Sequence, residues 1–555
     1  KNSKLLSEFL AAKPDFPAAN SLMYSIYKTL PNDTDLTVFR QDANINGFNF
    51  AFMGDHFDYH TAQDSFERLD IEPLLHQADY LMSTLNYFAY SDLDNLNSDT
   101  DFVYLNFPFS KLLTYPFSWV TPLLSIAIVS FLILLFFGYS LNKISIKSVL
   151  KGFFTFLISL VLCGSISFGL WKLLLVIHPH YTDILQGFTY NGYTYITAFV
   201  FLNLWLLLKT YKHFSKEEKT LNLIIAPIFI WLIINAIIST SLKGAGFFII
   251  PIFSALLILI ISIFLNIEER TKRILFTILS IPTIYIFAPL IKMFPVGLGL
   301  KNIFISGVLI ALVFGVMIFT FHQKKASWML KLSGLLTIIF FGVATLNSGF
   351  SIDNKKPNSL VYIQNNDDKT AYFGTYNNVL DNYTSQIFDE IVVKEGLLNA
   401  ETKNKYNTRF SYHKKTAFRN IASSRITIDF DTIIGNRRLL ELEIIPKRNA
   451  HKFEFITNTK LTLQQFKVND ALVNNGKKYT VTKGAFLIYY MANSDKNISL
   501  TFSIQKDEKL DIILNEISYD LLENPHFSIQ PRSEEMMPMP FVTNDAIIIS
   551  KKLSI

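Results

Sequence analysis

The sequence predicts a multi-domain membrane protein in which a block of about eight hydrophobic helices lies between two water-facing segments. Three observations predict it. Half of the 555 residues are hydrophobic and only 17% are charged, a low share for a soluble globular protein. The apolar residues concentrate between Pro116 and Phe350, while the flanks have an ordinary soluble composition. The flanks also differ in pattern: residues 1–98 read as the end of a larger α/β domain, and residues 354–555 as a β-sandwich. The expected division is thus 1–98, a transmembrane helical domain over 116–350, and an extracytoplasmic β-rich domain over 354–555.

A span needs about 20 apolar residues to cross about 30 Å of hydrocarbon. Runs that meet this lie near 120–140, 149–177, 192–210, 221–241, 247–266, 274–294, 302–321 and 328–347. Only Lys243-Gly-Ala-Gly246 parts the fourth from the fifth, so these two form one hairpin or a poorly bounded pair, and the expected count is eight to within one. Alternate connections are basic. Lys143, Lys147 and Lys151 follow the first run, and Lys209, Lys212, Lys216 and Lys219 the third. Arg270, Lys272 and Arg273 follow the fifth, and Lys324, Lys325 and Lys331 the seventh. The positive-inside rule makes these connections cytoplasmic and puts both flanking segments on the opposite face. The expected setting is a bacterial inner membrane with periplasmic domains, with an organelle membrane as the alternative.

Mid-span ionisable residues, the usual mark of an ion-coupled transporter, are nearly absent. Lys172 sits near a span end, where its stem can snorkel. Asn203 and Asn235 read as polar links between helices, and Pro227, Pro251, Pro282 and Pro289 as kinks. The net charge of +6 is modest and unclustered, which argues against a nucleic-acid partner. The single cysteine, Cys163, lies inside a hydrophobic run and excludes an intrachain disulfide or a Cys-based zinc site. The chain starts at Lys1 without a signal peptide, although its first segment is placed outside the cytoplasm. Upstream sequence, lost by truncation or processing, is therefore expected.

In the first segment, helices are expected over Leu5–Ala12, Asn20–Leu30 and Ile71–Ala89, and buried strands over Thr37–Phe39 and Phe48–Met53. Asp70 is the expected N-cap of the long helix, with Glu72 and Pro73 in its first turn and an apolar stripe through Leu74, Ala78, Leu81, Leu85 and Phe88. The stretch Gly54–Glu67 holds two histidines and several carboxylates just after an expected strand, where α/β proteins place their sites. On spacing alone this is weak evidence for a metal, since polar loops rich in Asp and His are common.

Three segments in order carry a resemblance: Asn32-Asp-Thr-Asp-Leu-Thr-Val-Phe39, Gly47-Phe-Asn-Phe-Ala-Phe52 and Tyr59-His-Thr-Ala-Gln-Asp64. Together they resemble the C-terminal part of the M28 zinc peptidase domain, in its membrane-anchored branch of endoplasmic reticulum metallopeptidases and vacuolar membrane proteases. The resemblance covers about residues 15–90. It implies that His60 is a zinc ligand, that Tyr59 lies beside the scissile carbonyl, and that Asp64 fixes the loop or the imidazole from behind. Asp64 has a second reading, slightly the better one, as an N-cap with Glu67 three residues on. Asp33 and Asp35 would shape a nearby loop.

The family's two-zinc site also needs a His-x-Asp, a Glu-Glu pair and a further acidic ligand, all upstream of the matching segment. His56-Phe-Asp58 has the first pattern at the wrong end of the domain. Glu217-Glu218, Glu268-Glu269 and Glu534-Glu535 lie far from it in the sequence. The chain therefore holds one expected ligand, and on its own is expected to be inactive. In the last segment, strands are expected over Leu360–Ile363, Arg425–Phe430, Leu439–Ile445, Lys452–Ile456, Ala485–Tyr490 and Leu500–Ile504. The run from Pro357 to Tyr362, with Ala371–Tyr376 and Leu380–Thr384, resembles the segment after the membrane block in bacterial members of the same family.

The function this implies is a membrane-anchored, zinc-dependent exopeptidase, an aminopeptidase acting on peptides at the extracytoplasmic face. Its partners would be peptide substrates and the lipid bilayer, and the sequence sets no oligomeric state. The competing reading is a noncatalytic membrane scaffold that keeps a peptidase-like remnant for binding.

Overall fold

The computed structural model describes residues 1–28, 34–93, 96–107, 110–321, 327–388, 404–492, 496–508 and 510–553. The chain forms two compact units. The first comprises Lys1–His56, Ser65–Val176 and Gln186–Ser348, and the second Phe57–Asp64, Ile177–Leu185 and Gly349–Ile555.

Among the described residues of the first unit, seven helices are long and apolar enough to cross a membrane: Phe117–Ser140, Ile146–Ile177, Gly192–Phe214, Thr220–Ser241, Lys243–Phe264, Glu269–Leu298 and Ser327–Leu346. The remaining expected run forms a shorter apolar helix, Leu300–Val316. Lys324 and Lys325 lie outside the described residues. Prolines take two roles. Pro227 and Pro251 lie in the first turns of the α-helices Ile225–Ser241 and Ile250–Phe264, just after the breaks that divide the spans Thr220–Ser241 and Lys243–Phe264. Pro282 and Pro289, with Pro295, lie inside Glu269–Leu298.

Polar side chains join helices in this block. Asn203 donates to Ser167 Oγ at 3.0 Å and to its own helix at Phe199 O at 2.7 Å. Asn235 donates to Phe248 O at 3.1 Å. Aromatic pairs hold Gly192–Phe214 to Ser327–Leu346, with Phe201 stacked on Phe340 at 5.6 Å and Phe199 edge-on to Phe341 at 5.2 Å.

The N-terminal segment is helical: Ser3–Ala11, Ser21–Tyr27, Asp35–Asp42 and Ile71–Phe88. Asp70 caps the last of these, accepting from Glu72 N at 3.0 Å. Both expected strands need correction. Thr37–Phe39 lies inside Asp35–Asp42, where Asp35 in the first turn and Arg40 in the last complement the helix dipole. Phe48–Met53 has neither strand nor helix. Its rings still alternate as an extended chain would place them, with Phe48 and Phe50 stacked at 5.9 Å and both against Phe9. Helices supply that cover, and no sheet of an α/β domain forms among the described residues of 1–98. Asp33 lies outside the described residues. A hairpin of Phe102–Phe107 and Ser110–Pro116 leads into the first long apolar helix.

The second unit is β-rich. One sheet runs in the order Gly484–Tyr490, Lys452–Thr457, Ile512–Ser518, Ala546–Leu553, Val361–Asn365, Thr370–Thr375 and Tyr412–Thr416. It is antiparallel except where Ala546–Leu553 lies parallel to Val361–Asn365. A second sheet centres on Leu461–Val468, Ile498–Gln505, Arg437–Ile445 and Arg425–Ile434. The two sheets share one apolar core, with Leu442, Phe466 and Phe502 from one and Phe453, Phe455 and Leu514 from the other. Gly435, with φ of +62°, and Asn436 form the tight turn between Arg425–Ile434 and Arg437–Ile445.

Candidate functional site

The segment singled out by sequence, Phe57–Asp64, belongs to the second unit. Hydrogen bonds within it make a compact series of turns. Thr61 donates from both its N (3.0 Å) and its Oγ1 (2.7 Å) to Asp58 O. Gln63 N donates to Thr61 Oγ1 at 3.1 Å, and Asp64 N to Thr61 O at 3.2 Å. His60 takes the left-handed conformation, φ +59°, which histidine tolerates better than most side chains. One residue braces the loop from below. The buried Gln63 amide donates to Asp353 O at 2.6 Å and accepts from Lys355 N at 3.1 Å. Sequence reasoning passed over Gln63, because an uncharged amide inside a polar loop carries no catalytic signal.

Tyr59 and His60 project outward and are both exposed. Their ring centroids are 3.9 Å apart, and the imidazole stacks on Phe541 at 5.5 Å. Tyr406 meets Phe541 edge-on at 5.2 Å, and Lys405 Nζ lies 5.4 Å from the centre of the Phe541 ring. Phe541 itself has φ of +67°, an unfavourable conformation for an aromatic residue. Burial raises the Tyr406 phenol above its usual range, and the nearby Tyr59 adds to this. The cluster thus offers an imidazole, two phenols and an ammonium around one aromatic plane.

Asp64 is exposed, and no hydrogen bond joins it to His60 among the described residues. Its reading as a cap is corrected: the short helix that follows, Phe66–Arg68, starts after Ser65. A hydrogen bond from the Ser65 side chain lowers the Glu67 carboxyl. His56 is packed on Phe188 at 5.3 Å, and burial lowers its imidazole below the usual range. Among the described residues, no three His, Cys, Asp or Glu side chains come together as a metal-binding group. The described residues therefore do not by themselves fit a zinc ion.

A second carboxylate in this unit went unremarked in the sequence. Asp183, in the connection after Ile146–Ile177, is fully buried. It accepts from Asn378 N at 2.6 Å and from Asn377 Nδ2 at 3.4 Å. Burial pushes its carboxyl up to about 6, against these hydrogen bonds and the charge of Lys356, with Asp381 adding a smaller upward push. A carboxyl raised in the folded state stabilises the fold below its unfolded value near 4, and that stability is lost as pH rises through 6. Asp183→Asn is accordingly expected to be more stable than the parent by about 2 to 3 kcal/mol at pH 8. The gap should close as pH falls toward 4, in parallel unfolding measurements across that range.

No family model matches the chain, and no solved structure does. Among curated proteins it is similar to endoplasmic reticulum metallopeptidase 1 of Rattus norvegicus, 28% identical over 95 residues. The same protein of Mus musculus is 28% identical over 94 residues, and that of Homo sapiens 26% over 95. Each match takes in 17% of this chain and spans only 10% of the relative's length. The chain, with seven long apolar helices among its described residues, is thus distantly similar over a limited stretch to a metallopeptidase of the endoplasmic reticulum.

Proposed function

We propose that this chain forms part of a membrane-anchored zinc exopeptidase of the M28 type, an aminopeptidase acting on peptides at the extracytoplasmic face. The observation that carries the reading is the similarity to a named metallopeptidase. The seven long apolar helices among the described residues, with the shorter Leu300–Val316 as an eighth crossing, and the basic alternate connections support a multi-pass protein with both flanking segments extracytoplasmic. A bacterial inner membrane is the setting proposed. In this reading His60 is one zinc ligand and Tyr59 stands beside the substrate carbonyl, on a turn braced by Gln63. Asp64 steadies the loop through its backbone. The other ligands of a two-zinc site would come from outside the described residues.

The second reading, a noncatalytic scaffold, draws on the stacking of His60 on Phe541. Zinc content and hydrolysis of aminoacyl-nitroanilide substrates, measured on the protein isolated from its own membranes, separate the two. The peptidase reading expects zinc and activity, with His60→Ala lowering activity by about a hundredfold or more and reducing bound zinc. Neither zinc nor activity in the parent would leave the scaffold, whereas zinc and activity unchanged in the variant would remove His60 from the site.

A further inference from the structure

The long helix Ile146–Ile177 and the short helix Leu300–Val316 pack against each other in opposite directions. Phe168 meets Phe304 edge-on at 6.2 Å, and a Cβ at Gly164 would lie 3.2 Å from the Val308 side chain. Four residues back along the first helix thus match four residues forward along the second, as in an antiparallel pair. Beside this contact runs an open groove of about 560 Å³, lined by Leu160, Val161, Gly164 and Phe168 on one side and by Phe304 and Val308 on the other. The Ser165 hydroxyl is the one polar side-chain group in the lining. Val161 is 64% exposed and Phe168 49%, so the groove opens outward from the helices, toward hydrocarbon in a membrane.

The same register brings two cations to one end of the groove. Lys172 stands one turn beyond Phe168, with Nζ 5.7 Å from the centre of that ring. Lys301 stands one turn before Phe304, and the opposed helix directions put it at the end where Lys172 lies. Both lysines are exposed, and neither has an ion pair among the described residues. From Lys172 down to Leu160 the helix descends about 18 Å, close to the depth of one bilayer leaflet.

We propose that this groove binds one anionic phospholipid, with an acyl chain laid along Leu160–Phe168 and the phosphate held between Lys172 and Lys301. The apolar lining takes the chain, and the two unpaired ammonium groups select the charged headgroup, as basic pockets between membrane helices do. A peptide does not suit the groove, whose lining offers no row of donors and acceptors for its backbone. A second copy does not suit it either, since twofold pairing over this face would set each lysine against its own counterpart. The site does not depend on the peptidase reading.

The test reconstitutes the 555-residue chain into phosphatidylcholine vesicles holding a minor fraction of phosphatidylglycerol. Leu157→Trp, one turn below Val161, serves as the reporter, and bromine on the acyl chains of either lipid quenches a tryptophan that it touches. The chain without the reporter gives the contribution of the five native tryptophans. Quenching of the reporter is expected to show phosphatidylglycerol enriched about tenfold over its share of the bilayer. Lys172→Gln with Lys301→Gln should abolish the enrichment by removing the charge, and Ser165→Phe by filling the groove. Lys243→Gln, which removes an exposed cation from another connection, should leave it unchanged. All the substituted residues are exposed, so the helices keep their packing. Quenching that follows the bulk composition would overturn the proposal. So would enrichment that survives loss of the lysine pair or filling of the groove, or that Lys243→Gln removes as fully.

Discussion

Replacing Arg448 by methionine is expected to destabilise the β-rich unit by about 3 to 5 kcal/mol. Glu516 lies on the central strand Ile512–Ser518 and is only 2% exposed. Arg448 holds its carboxylate at 2.6 Å through Nε, and donates from Nη2 to the Glu516 carbonyl at 2.9 Å. The same guanidinium reaches Ser518 and, at 3.3 Å, the carbonyl of Ile547 on the neighbouring strand. Ser424 N covers the other carboxylate oxygen at 2.7 Å. Removing the cation leaves an anion buried with half its partners, which costs more than the pair contributes when intact. The double variant Arg448→Met with Glu516→Gln removes both charges and should recover much of the loss. All five tryptophans lie in the first unit, so amide exchange over Ile512–Ser518 is the suitable readout. Unchanged protection there in the single variant would show that the pair does not hold this sheet.

The sequence made some elements legible and hid others for identifiable reasons. The long apolar helices follow from a solvent that leaves the backbone no other option, so run length alone locates them. Each of the six expected strands of the last segment falls within or at the edge of an observed one. Among the strands missed are Thr370–Thr375, Tyr412–Thr416, Leu461–Val468 and the two central ones of the larger sheet, Ile512–Ser518 and Ala546–Leu553. Ile547, Ile548 and Ile549 are buried on both faces of the sheet, and a strand covered on both sides lacks the alternation by which strands are recognised. In the N-terminal segment the pattern misled. Phe48 and Phe50 alternate as a strand would, but the partner that would complete a ladder is not among the described residues. At the candidate site, Tyr59 and His60 stood out by residue type. Phe541, Tyr406 and Gln63, which shape their surroundings, did not, because contacts across hundreds of residues leave no local mark.

Gly307→Val is expected to cost the membrane block about 3 kcal/mol. On the short helix Leu300–Val316, a Cβ at Gly307 would lie 2.8 Å from the backbone oxygen of Cys163 and 2.7 Å from Ser167 Oγ. It would also come within 3.1 Å of Asn203 Oδ1. A side chain can turn aside, but the Cys163 carbonyl is fixed by its helix, so the helices must part. Parting them stretches the Asn203–Ser167 hydrogen bond, now 3.0 Å, which joins two of the long helices. Gly342 is the matched control: it also sits on an apolar helix, but nothing lies within 4 Å of a Cβ there. Thermal unfolding in detergent, followed by tryptophan fluorescence, should therefore fall sharply for Gly307→Val and hardly move for Gly342→Val. If the two behave alike, the small-residue contact is not what sets the spacing of these helices. If they separate as expected, the short helix is locked to its neighbours by backbone contact. A block locked in that way suits a rigid mount for the water-facing units better than a path that opens and closes.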